Sequence, residues 1–98
     1  MTLAYVALGA NLGDAEGNLR AAVRALAATP GLALLKTSSF YRTAPVGLRQ
    51  QPDFINAAAA LHSELDARAL LDVLFDIEQR FGRQRSIPNA PRTLDLDL

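Results

Sequence analysis

The order of apolar patterns along the chain predicts an α+β fold, an antiparallel sheet with two helices packed on one of its faces. Three observations carry that expectation. Apolar runs of strand length stand at Leu3–Leu8 and Phe54–Leu61, with the length and β-branched or aromatic content that strands favour. Two stretches with helical spacing, each led by an aspartate, separate the extended segments. The chain is 98 residues, half of them hydrophobic, which suits one domain with one modest core.

Taken in order, Leu3–Leu8 is a first strand, closed by Gly9, Asn11, Gly13 and Asp14. Asp14 is a good N-cap for a helix whose inward stripe is Leu19, Ala22, Val23 and Leu26. Thr29-Pro30-Gly31 ends that helix. Leu32–Thr43 reads as one extended stretch, in which Phe40 and Tyr41 supply sheet packing. A loop through Ala44-Pro45-Val46-Gly47 and Gln51-Pro52-Asp53 leads to a third strand, Phe54–Leu61. Asp66 caps a second helix with the stripe Leu70, Leu74, Ile77 and Phe81, and Gly82 suits its end. The polar segment Arg83–Arg92 precedes a fourth strand, Thr-Leu-Asp-Leu-Asp-Leu. The resulting βαββαβ order is that of ferredoxin-like folds. With neither repeat nor linker, residues 1–98 read as a single domain. The sequence stops at Leu98 inside its alternating run, so the expectation is the N-terminal portion of a longer domain with its fourth strand cut short.

Composition narrows the function classes. The chain has no cysteine, which excludes disulfides, thiolate metal sites and a cysteine nucleophile. Its single histidine, His62, argues against a Ser-His-Asp triad and is expected at the surface near a strand end. Ten basic residues balance ten acidic ones, so no broad nucleic-acid surface is expected. No apolar run is long enough to span a membrane, and the first strand lacks the basic start of a secretory signal. A cytoplasmic monomer is the expectation.

Two neighbouring features could carry chemistry. Arg80, Arg83, Arg85 and Arg92 fall between Glu78 and Asp95 with no acidic residue among them. Guanidinium forks match phosphate oxygens, although arginines after a helix end also serve simply as solvated charges. Asp95 and Asp97 are two apart on a strand, so both carboxylates share one face. Such a pair suits Mg²⁺, with an ordinary half-exposed strand as the plainer reading. Side by side, a carboxylate pair and a phosphate clamp are what phosphoryl transfer needs. Neither a P-loop nor a dinucleotide fingerprint is present. Phe54 and Asn56 also share a strand face, where a ring and an amide would suit a flat nitrogen heterocycle. The alternative there is a core Phe54 and a loop-capping Asn56.

Five blocks extend this reading to a family. Ala7-Leu-Gly-Ala-Asn-Leu-Gly13, Ser39-Phe-Tyr-Arg-Thr-Ala-Pro-Val-Gly47, Gln51-Pro-Asp-Phe-Ile-Asn-Ala57, Ile77-Glu-Gln-Arg-Phe-Gly-Arg83 and Pro91-Arg-Thr-Leu-Asp-Leu-Asp-Leu98 occur in order over almost the whole chain. Together they resemble the 6-hydroxymethyl-7,8-dihydropterin pyrophosphokinases of folate biosynthesis. The resemblance implies pyrophosphoryl transfer from ATP to the pterin hydroxymethyl group, giving AMP. It implies that Asp95 and Asp97 hold two Mg²⁺ ions and that Arg83 and Arg92 act on the phosphates. Glu78 and Arg85 fall on the nucleotide side, and Thr43, Ala44, Val46, Gly47, Phe54 and Asn56 on the pterin side. Phe54 stands where the family often has tyrosine, and Ser86–Ala90 lacks the aromatic that some members carry. The family domain continues beyond the paired aspartates with a second stacking aromatic and most adenosine contacts. A non-catalytic ferredoxin-like module that binds a small molecule is the competing expectation.

Overall fold

A computed structural model describes residues 2–45, 47, 50–81 and, for the backbone, 95–97. Its elements are β1 (Thr2–Ala10), α1 (Ala15–Ala28), β2 (Leu32–Thr37), β3 (Tyr41–Thr43), β4 (Phe54–Ser63), α2 (Ala67–Arg80) and β5 (Asp95–Asp97). The strands run β2-β4-β1-β5 across one sheet, with β3 also paired to β4, and every pair is antiparallel. This is the expected α+β arrangement.

Both helices begin where a carboxylate can satisfy orphan amides. Asp14 accepts from the Gly17 amide at 3.0 Å, and Asp66 from the Ala69 amide at 2.8 Å. α1 closes at Thr29, whose hydroxyl donates to the Ala25 carbonyl. The chain then turns through Gly31 at φ 87, a left-handed backbone that glycine tolerates best.

Strand alternation produces two unlike sheet faces. Val6, Leu8, Ala10, Ala57, Ala59 and Leu61 point into the helix layer. They pack there with Leu19, Ala22 and Leu26 of α1 and Leu70, Leu74 and Ile77 of α2. The intervening positions form an open face: Tyr5 is 64% exposed, and Leu3, Ala7, Ala58 and His62 are also exposed.

Three expectations need correction. The first strand does not close before Gly9 but runs to Ala10, because Gly9 pairs with both Asn56 and Asp95. The extended stretch 32–43 is two strands, since the edge changes register against β4 at residues 38–40. The third strand runs two residues further, to Ser63, so His62 lies within it, exposed as expected. Tyr41 is also more than half exposed, whereas Phe40 packs toward the core beneath the Arg20 guanidinium. Gly82, the segment 83–92 and Leu98 lie outside the described residues.

Candidate active site

The end of the open face where β3, β4, β1 and β5 meet collects the polar candidates. Thr43 stands opposite Phe54, and Tyr41 opposite Asn56. The next strand places Gly9 opposite Asn56, and β5 places Asp95 opposite Gly9 and Asp97 opposite Ala7. One transverse row therefore reads Tyr41, Asn56, Gly9, Asp95 across four strands. Pairing between segments far apart in the chain brings these groups together.

From that row, Asn56 Nδ2 donates at 2.7 Å to Thr43 Oγ1 in the neighbouring row. The two residues are diagonal neighbours, a spacing that longer side chains can bridge. Gly9 leaves room for the amide: a Cβ there would lie 3.2 Å from Asn56 Oδ1. Phe54 is half-buried beside Asn56's strand position. An aromatic surface, an amide and a hydroxyl at one corner can stack and hydrogen-bond a flat, nitrogen-rich ring.

The connecting loop is tied to the sheet by Asn11, whose place in the sequence suggests only a turn. Asn11 is 3% exposed, and its Nδ2 donates to Gln51 Oε1 at 2.8 Å and to the Pro52 carbonyl at 2.9 Å. Those bonds hold the loop just before Phe54. Gly9 is the other residue missed. Its signal was present, because a glycine inside an apolar strand run often marks close approach of a neighbour.

The other candidates are placed differently. Ala44 and Gly47 lie exposed in the loop after Thr43, with Gly47 at φ 82. Glu78 is 2% exposed in the last turn of α2, within the helix layer. Arg80 forms an i,i+4 ion pair with Asp76 at 3.3 Å, both side chains more than half exposed. For Arg80 this supports the solvated helix-end reading. Val46, Arg83, Arg85 and Arg92 lie outside the described residues, and Asp95 and Asp97 are described by backbone alone. Among the described residues no three His, Asp or Glu side chains gather as a metal cluster. No described helix is long and apolar enough to cross a membrane.

A helix-backed antiparallel sheet, with Thr43 and Asn56 joined on its open face, defines an α+β protein with a candidate polar site there. Sequence comparison makes this more specific. The family model of 7,8-dihydro-6-hydroxymethylpterin-pyrophosphokinase matches residues 5–98, and the chain belongs to that family. It is 45% identical over 98 residues to 2-amino-4-hydroxy-6-hydroxymethyldihydropteridine pyrophosphokinase of Methylorubrum extorquens, covering 100% of this chain and 62% of that protein. Proteins of the same name from Haemophilus influenzae and Bacillus subtilis are 44% and 42% identical. These matches cover 100% and 98% of this chain, and 61% and 58% of the respective relatives. The chain thus spans about three fifths of the length of these curated relatives.

Proposed function

We propose that the protein transfers the terminal pyrophosphoryl group of ATP to 6-hydroxymethyl-7,8-dihydropterin, yielding the pterin diphosphate and AMP. The observation that carries this reading is the hydrogen bond on the open face from Asn56, which shares a transverse row with Gly9 and Asp95, to Thr43. Family membership supplies the substrate pair.

In this reading the pterin ring lies at the β3–β4 corner. Phe54 stacks on it, the Asn56 amide reads its edge, and Thr43, Ala44, Val46 and Gly47 line the loop side. The hydroxymethyl oxygen forms a bond to the β-phosphorus while the bond from that phosphorus to the α,β-bridging oxygen breaks. The electron pair leaves with AMP, and the hydroxyl proton passes to solvent. Arg83 and Arg92 stabilise charge on the transferring phosphates, with Arg85 and Glu78 on the nucleotide side. The donor set fits magnesium, since Asp95 and Asp97 occupy positions two apart on β5 and carboxylate oxygens are hard ligands. Mg²⁺ held there would neutralise phosphate oxygens and favour in-line displacement. Two such ions are part of the proposal.

The test is AMP release when the protein, at the length of its relatives, receives ATP, Mg²⁺ and the dihydropterin. Stoichiometric AMP and pterin diphosphate are expected. Binding of the pterin with no AMP formed would overturn the enzyme reading in favour of a small-molecule-binding module.

A further inference from the structure

The sheet edge that carries Thr43 falls out of step with β4 twice. Leu34 stands opposite Leu61 but Lys36 opposite Ala60, so Leu35 is one added residue. The second shift comes immediately after. Ser38 hydrogen-bonds with Ala58, and Tyr41 is the partner of Asn56, so Ser39 and Phe40 together face the single residue Ala57. Two residues against one is a β-bulge, a device that re-aims the side chains beyond it.

The consequence falls on Thr43. Continuing the Thr37–Ala59 register without the bulge would set Phe40 opposite Asn56 and Arg42 opposite Phe54. Thr43 would then occupy a helix-side position, because a one-residue slip exchanges the faces. The bulge is what puts Thr43 on the same face as Asn56, where the 2.7 Å bond forms.

Ser38 holds this step with three bonds. Its amide donates to the Ala58 carbonyl at 2.8 Å. The Ala58 amide donates at 2.8 Å to Ser38 Oγ, in a role that the residue's own carbonyl plays in a regular ladder. The hydroxyl in turn donates to the Ser39 carbonyl at 2.9 Å. On the far side of the bulge, Phe40 turns into the helix layer, with the Arg20 guanidinium 4.9 Å from its ring centre.

We propose that Ser38 is a positioning residue for the ring-binding corner: its hydroxyl pins the bulge that turns Thr43 toward Asn56. Its effect on ligand rests on the pterin reading above, whereas its effect on the Thr43–Asn56 pair does not. Two measurements separate these. The first is the nuclear Overhauser contact between the Thr43 and Asn56 side chains in the ligand-free protein. The second is pterin affinity by calorimetry, with ATP affinity alongside.

Ser38→Ala is expected to lose the Thr43–Asn56 contact and about tenfold in pterin affinity, with ATP affinity unchanged. Ser38→Thr restores both. In a Thr43→Val background Ser38→Ala adds no further loss of affinity, because the two act through one bond. Should Ser38→Ala fail to fold, Ser38→Cys, with its weaker acceptor, serves in the same comparison. A Ser38→Ala protein that keeps the contact, or losses that add in the Thr43→Val background, overturns the positioning role. A wild-type protein that shows the contact but binds no dihydropterin overturns the pterin reading and leaves Ser38's role standing.

Discussion

Asn56 Nδ2 reaches Thr43 Oγ1 across 2.7 Å while its Oδ1 lies toward Gly9, where a Cβ would stand only 3.2 Å away. The amide is thus held from one side and given room on the other. Neither Thr43 nor Asn56 contributes to the buried core, so substitutions here separate binding from folding. Thr43→Val is expected to weaken dihydropterin binding about tenfold, the size of one hydrogen bond. Isothermal titration and a denaturation curve on the same sample check it. Unaltered affinity would remove Thr43 from the proposed pterin site.

Gly9→Ala tests the other side of that amide. A methyl group at 3.2 Å forces Asn56 to give by a few tenths of an ångström. The backbone there is ordinary strand and not left-handed, so affinity should fall severalfold while the unfolding midpoint moves little. A large loss of stability with intact binding would contradict this account.

Asn11→Ala removes two bonds from a buried amide to the Gln51–Pro52 loop. A loss of roughly 1–3 kcal/mol in stability is expected from a change of this kind. Faster hydrogen exchange at the Gln51 and Asp53 amides, which flank Pro52, should accompany it, because the loop loses its tie to the end of β1. Exchange that stays slow at those residues would show another restraint dominates.

Core and cap changes set the scale for stability. Leu74→Ala empties a fully packed position between α2 and the sheet, at about 2–5 kcal/mol. Asp66→Ala loses only the 2.8 Å cap to Ala69, at about 1 kcal/mol. Urea unfolding of both variants should rank them in that order.

On the catalytic side, Asp97→Ala is expected to abolish AMP formation by removing a proposed metal ligand. Arg92→Ala should slow the chemical step about 10²-fold or more if it stabilises transition-state charge. Single-turnover measurements distinguish this from weakened pterin binding, which would argue against the assigned role.

Much of the architecture was legible because it is written in short-range patterns. Asp14 and Asp66 announced both helix starts, and Leu70, Leu74 and Ile77 marked the face of α2 that is buried. The shared strand parity of Phe54 and Asn56 placed the candidate ring site on one end of one strand. Less legible were Gly9, read as a terminator, and Asn11, read as a turn residue. Their roles depend on what lies beside them in space, since Gly9 sits between two strands and Asn11 meets a loop forty residues on.

The α+β class, the two capped helices and the family are all readable without coordinates, because periodicity, caps and ordered motifs are local. Folding alone reveals that the extended run splits at a bulge, that Thr43 turns toward Asn56, and that Gly9 lines up with both Asn56 and Asp95. Those facts are matters of register. Strand pairing joins distant segments, and one inserted residue changes which face every later side chain occupies.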